Sequence, residues 1–334
     1  MPNTAVIAKA RAMYSLHLKD FDYHQLADLK RVEDVAMFFE KHPRYEGVME
    51  GVRSLEIHRD ILEQRIRVMV PLEYKSLLRM EQVARAKTFF SLDLERNLIV
   101  DMLYSLSHGV IYQPTRDSVE LSQSFSFNVA DLINCNSIEA VLKTIARSPY
   151  AHTVDVEVNK GTPIWEIESK LYDLYIKLVN ENEAKDSEEF RDIFRFDIEL
   201  TRVAEAFRMV IANNPNYIKK LESYTWIPYK LKKQELKDWV EQSDPNLFVA
   251  NVKEKYGIPQ EVYRSTIENY FDRMRFKQAL KVMRYSQDSK AVVYAYKMLM
   301  DIEVKNIISI IEGVRYRRNV QSILEQLVFE VKQT

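Results

Sequence analysis

Three acidic tripeptides are the chemically most capable groups in this chain. Asp93-Leu94-Glu95, Asp197-Ile198-Glu199 and Asp301-Ile302-Glu303 follow one another at separations of 104 residues. A carboxylate is costly to bury unpaired, so each of these must find a buried arginine, backbone N–H groups or a wet cavity. Counting from each Asp, position +6 is Ile99, Val203 or Ile307, and position +10 is Leu103, Phe207 or Ile311. Positions +9 (Met102, Ala206, Ile310) and +13 (Leu106, Val210, Val314) are apolar as well, which is helical spacing. The +2 position lies at the angular centre of that stripe, so Glu95, Glu199 and Glu303 fall on the apolar face of a helix. Two readings follow. The three acids line a common cavity, or each is a carboxylate near a helix start, satisfied by a buried arginine or by backbone N–H groups. Arg11, in the first helix, is a candidate partner for Glu95. A short carboxylate accepts well from first-turn amides, so Asp93, Asp197 and Asp301 are expected near helix beginnings or just after bends.

Other chemistry is poorly supplied. No G-x-x-x-x-G-K-[ST] loop or G-x-G-x-x-G turn is present to hold phosphates. Cys135 is the only cysteine, so neither a disulfide nor a thiolate zinc cluster can form within the chain. The six histidines form neither H-E-x-x-H nor the Glu-x-x-His of di-iron bundles, and surface or capping roles are expected for them. No G-x-S-x-G elbow supports a serine nucleophile. No catalytic residue, cofactor or metal is therefore expected. Arg315, Arg317 and Arg318, like Lys230, Lys232, Lys233 and Lys237, read as solvated faces.

The surroundings of the acids repeat with them. Leu26-Ala27-Asp28-Leu29 precedes Glu33, Pro43 and Tyr45, and Val129-Ala130-Asp131-Leu132 precedes Glu139, Pro149 and Tyr150, with ten residues from Glu to Pro in both. Tyr256-Gly257 falls at the matching place in the third copy, without the proline. Aromatic residues lead into each tripeptide: Phe89-Phe90, Phe194 with Phe196, and Tyr294 with Tyr296; core packing is their expected role. The chain divides into units 5–107, 108–212 and 213–334, each large enough for a small helical bundle. Three such units suggest a pseudo-three-fold body around a central hollow.

Only six glycines and an abundance of Leu, Ile, Glu, Lys, Arg and Met argue for an all-α fold. A helix is expected from Ser54 to Val70, ended by Pro71; others begin at Thr162-Pro163, running through Leu178, and at Ser243-Asp244-Pro245. Residues 180–189 read as an exposed acidic loop, and Gln113–Asp117 as a turn between units. A net charge of −1 disfavours a dedicated nucleic-acid binder. No apolar run reaches the roughly 18 residues a membrane span needs, and no signal peptide leads the chain, so a cytoplasmic location is expected. Charge ignores the repeat: the middle unit carries 11 basic and 18 acidic residues, the last unit 21 and 15. Such asymmetry suits asymmetric partners.

The segment Ala291–Glu312 resembles the C-terminal signature of the C subunit of V-type and A-type ATPases, known as the d subunit in eukaryotes. That signature places a Glu before a basic residue and Asn-Ile, then an apolar helix with a further Glu; Glu303, Lys305, Asn306, Ile307, Ile310 and Glu312 stand in those places. Lys305 replaces the more usual Arg, a mild departure if the position is exposed. Ala8–Met13 is similar to the family's opening helix, and Leu29–Tyr45 to its next segment; the middle unit is the most diverged. The resemblance implies a funnel of three similar helical domains. Its mouth would receive the D and F subunits of the shaft, and its other side would rest on the cytoplasmic loops of the proteolipid ring. It implies a monomer within a hetero-oligomeric complex, peripheral on the cytoplasmic face of the membrane, that binds no nucleotide and transmits torque. The alternative is a helical scaffold or adaptor unrelated to rotary motors; a helical enzyme ranks third.

Overall fold

The computed structural model describes residues 4–51, 57–78, 88–109, 125–213 and 221–330, and every regular element in them is helical. In chain order these are α1 (Thr4–Ser15), α2 (Asp20–Ala27), α3 (Val32–Lys41), α4 (Glu46–Met49), α5 (Arg59–Leu78) and α6 (Phe89–His108). They continue as α7 (Val129–Ile133), α8 (Ile138–Thr144), α9 (Ala151–Asn159), α10 (Ile164–Asn182) and α11 (Glu188–Ala212). The last are α12 (Lys233–Glu241), α13 (Pro245–Tyr256), α14 (Ile267–Tyr285), α15 (Ser289–Arg315) and α16 (Val320–Leu324). Two compact units result, one of residues 1–73 with 192–334, the other of residues 74–191.

Local chemistry sets several helix ends. Asp244 accepts from the Asn246 amide (2.8 Å) to start α13 with Pro245 in its first turn, and Gly257 ends it at φ +65°. Thr88 and Ser91 form a reciprocal box at the start of α6. Pro163 directly precedes α10, as the Thr162-Pro163 signal predicts.

Two expectations are corrected. Pro71 does not end a helix: it lies inside α5, which starts at Arg59, later than expected because Ile57 and His58 stand outside it, and runs on to Leu78; Ser54 lies outside the described residues. An interior proline costs about 3 kcal/mol; Val68 and Met69 before it and Tyr74 and Leu77 after it are all buried, and that packing carries the helix through. The exposed loop expected at 180–189 shrinks to a short connection. Helix α10 extends to Asn182, α11 starts at Glu188, and Glu183, Ala184 and Ser187 between them are buried. The Gln113–Asp117 turn lies outside the described residues.

In the larger unit one core joins α2, α3 and α5 to the C-terminal half of α15 through Leu26, Phe39, Leu62, Ile66, Ile307 and Ile311. A second joins α11 to α12, α13 and α14 through Leu200, Phe207, Leu236, Phe248 and Phe271. In residues 74–191, α6 packs along α10, burying Leu98, Ile99 and Leu103 with Ile167, Leu171 and Ile176. Phe89, Phe90, Phe194, Phe196, Tyr294 and Tyr296 are all buried, which is the core role expected of them.

Candidate functional site

The three repeated glutamates are buried acceptors. Glu95 is 0%, Glu199 1% and Glu303 4% exposed, so the helical stripe places them correctly. A carboxylate so deep must be fully hydrogen-bonded. Glu95, on α6, accepts from the Ser126 amide (2.6 Å), from Ser126 Oγ (2.9 Å) and from Ser148 Oγ (3.1 Å). Glu199, on α11, accepts from three successive amides, those of Tyr229 (2.8 Å), Lys230 (2.9 Å) and Leu231 (2.9 Å), and from the Tyr256 hydroxyl (2.8 Å). Glu303, on α15, accepts from the Leu18 amide (3.1 Å), the Tyr45 hydroxyl and Arg44 Nη1, with His17 Nδ1 at 2.9 Å.

A common logic underlies these contacts. Each glutamate holds a backbone amide just ahead of a short helix: Leu18 before α2, Ser126 before α7, Leu231 before α12. Each is also reached by the tyrosine segment of the following sequence repeat. Tyr256 donates to Glu199, Tyr45 donates to Glu303, and Tyr150 donates to the Leu92 carbonyl (2.9 Å) while its neighbour Ser148 takes Glu95. The acidic tripeptide and the tyrosine signature are therefore two halves of one contact. The last copy is completed by the first stretch of the chain.

The third contact alone is ionic on both sides. Arg44, its side chain 4% exposed, makes a bidentate pair with Glu73 (2.6 and 2.7 Å) as well as reaching Glu303. The Tyr296 hydroxyl donates to Glu73 (2.6 Å) and lies 3.4 Å from His17 Nε2. Burial alone would raise the Glu303 carboxyl, but Arg44 and His17 beside it bring it down to about 2. Burial lowers the His17 imidazole below its ordinary value, against the pull of Glu303. Glu303 is thus held as an anion, with its oxygens occupied, which suits a clamp and not a proton shuttle. It borders a cleft of about 530 Å³ whose walls include Tyr14, Lys19, Tyr23 and Phe276. Among the described residues no group of three or more His, Cys, Asp or Glu is arranged to hold a metal ion.

The remaining expected residues part company. Asp93 pairs with Arg96 (2.8 Å), Asp197 with Arg275 (2.8 Å) and the Tyr294 hydroxyl (2.7 Å), and Asp301 with Lys297 (2.8 Å). Asp93 lies one turn into α6, near its beginning as expected, whereas Asp197 and Asp301 are in the middle of α11 and α15. The reason is that upstream residues already cap, Thr88 for α6 and Asp288 for α15, which frees the motif aspartates for side-chain pairing. Arg11 gives its hydrogen bonds to the Met283 and Ser286 carbonyls (both 2.8 Å), and the donors to Glu95 are the two serines. Asn306 is buried and ties down the C-terminal segment, donating to the Val328 carbonyl (2.7 Å) and accepting from the Val328 amide (2.9 Å). Lys305 is exposed and pairs with Asp272.

Sequence reasoning missed His17, Arg44 and Glu73. His17 is buried, against the surface role expected of it. The signal for Arg44 was its place beside Tyr45 in a repeated segment, combined with an acid on an apolar face that needed a cation. Nothing in the sequence singles out Glu73. Arg202, 1% exposed, was also missed; it sits over the Tyr224 ring and pairs with Glu205 (2.8 Å).

No helix among the described residues is long and apolar enough to cross a membrane. No individual curated protein matches the chain. A family model described as ATP synthase (C/AC39) subunit matches residues 6–326, nearly the whole length, and the chain belongs to that family of V/A-type ATP synthase subunits.

Proposed function

We propose that this protein is the non-catalytic central-stalk socket of a rotary V/A-type ATPase, coupling the D and F subunits of the shaft to the proteolipid ring. Three helical repeats, 5–107, 108–212 and 213–334, would form a pseudo-three-fold funnel on the cytoplasmic face of the membrane. A socket must bear torque without unravelling. The observation that carries the reading is the hand-over between repeats: each buried glutamate is completed by the repeat that follows, and Glu303 of the last is completed by His17, Leu18, Arg44 and Tyr45 of the first. Two distant segments are thereby fastened to α15, the N-terminal one through Glu303 and the C-terminal one through Asn306. The acids that could do chemistry are spent on holding backbone.

The test is removal of the protein from the motor. The soluble head should keep hydrolysing ATP while ATP-driven ion transport into vesicles disappears, and adding the chain back should restore transport. Full ATP-driven transport in membranes lacking the chain would refute the coupling role.

A further inference from the structure

The turn between α15 and α16 is an exposed basic feature that the hand-over contacts leave unused. Arg315, Tyr316, Arg317, Arg318 and Asn319 are all exposed, Tyr316 at 61%. The arginines have no carboxylate partner among the described residues, whereas Arg44, Arg96, Arg275 and Arg284 each do. Arg315 lies over the Tyr316 ring, and the Arg318 side chain reaches Gln326, at 3.4 Å.

The backbone of this turn is fixed from both sides. The Arg317 amide donates to the Val314 carbonyl and the Arg318 amide to the Gly313 carbonyl, the paired bonds of a left-handed helix end. Asn319 caps α16 by accepting from the Gln321 amide (2.8 Å). Gly313 lets α16 close on α15: a Cβ there would lie 2.6 Å from Ile323 Cγ1. The left-handed residue in such an end is ordinarily glycine, yet here it is Arg317, at φ +51°. A charged side chain at a strained position points to a use for that side chain. A cation near a helix C-terminus also complements the helix dipole, but Arg315 already supplies one within the last turn.

We propose that this turn is a docking site for a carboxylate-bearing segment of another protein of the complex, with Arg317 as its central contact. The inference rests on the rotary-complex reading above. Three features select an acidic protein segment. The cations are all arginine, whose planar fork matches carboxylates two bonds at a time. A tyrosine sits among them, and tyrosine and arginine dominate protein–protein hot spots. Three cations are fewer than the four to eight of a membrane-binding basic cluster. A rigid turn also spares the ordering cost of binding.

The experiment uses the full chain and the detergent-extracted rotary complex from cells lacking it, with affinity read at low and high salt. Arg317→Gly separates the roles, because glycine relieves the backbone while removing the guanidinium. It should raise the melting temperature yet weaken association by about fivefold at low salt, the scale of an exposed ion pair. Arg315→Glu, Arg317→Glu and Arg318→Glu together should weaken it by about a hundredfold, since like charges would then face each other. Vesicles of equal parts phosphatidylglycerol and phosphatidylcholine form the second arm, and these variants should not alter whatever binding they show. Unchanged affinity of Arg317→Gly and of the triple variant for the complex overturns this inference while leaving the rotary reading intact. Loss confined to the vesicles overturns it in favour of a lipid surface. Failure of the unmodified chain to bind the complex overturns both readings.

Discussion

Replacing Glu303 with alanine strands the side chains of Arg44 and Tyr45, both nearly fully buried, together with the Leu18 amide. Removing one member of a buried ion pair costs about 3–5 kcal/mol, because the other charge stays in a poor solvent. The lost acceptor for a buried hydroxyl or amide adds about 1–3 kcal/mol, though the two losses are not additive. Arg44 keeps its bidentate contact to Glu73, which moderates the penalty. The expected loss for Glu303→Ala is therefore about 3–5 kcal/mol. Glu95→Ala supplies the contrast: its donors are the neutral groups of Ser126 and Ser148, so about 1–3 kcal/mol is expected. Urea unfolding followed by circular dichroism measures both, and hydrogen exchange localises the first loss to α1, α2 and α15. A cycle with Arg44→Met should return a coupling of more than about 1 kcal/mol. A loss below about 0.5 kcal/mol for Glu303→Ala would mean that the carboxylate faces water, and the clamp reading would fall.

Acid should loosen the same contact from two groups acting in one direction. The folded Glu303 titrates at about 2 against an ordinary 4.5, so its stabilisation is present above 4.5 and lost as pH falls from there towards 2, about 3 kcal/mol in all. His17 is held below its ordinary 6.5, so the unfolded chain takes up its proton first, and stability begins to fall already below 6.5. Unfolding midpoints measured from pH 7 to pH 3 should fall in both windows, and Glu303→Ala should flatten the lower one. Gly313→Ala should cost about 1–3 kcal/mol by overpacking against Ile323, and Ile323→Val should recover part of it; a neutral Gly313→Ala would mean that α16 is free to shift. Asn306→Ala should cost about 1–3 kcal/mol and speed exchange of the Val328 amide, while leaving exchange in α6 unchanged.

Helix class, the repeat and the burial of its acids are legible in the chain before it folds. Those are local or periodic properties: a stripe every three to four residues fixes which face of α6, α11 and α15 is apolar, and Glu95, Glu199 and Glu303 sit at its centre. Caps such as Asp244 and punctuation such as Gly257 are equally local, and so are the helix ends they set. Pro71 departs from the local rule because packing on both sides of it, which periodicity does not weigh, carries the helix through. The partners of the three acids were not legible. Leu18 and Glu303 are 285 residues apart, and Glu73 and Tyr296 223, so only the folded chain brings them together. Nor does the period say that a glutamate is answered by the tyrosine of the next repeat; a tandem pattern reads the same whether its units close on themselves or on their neighbours. Tertiary structure chose the second, because the amides ahead of α2, α7 and α12 need an acceptor and each neighbouring acid, buried on its stripe, needs donors.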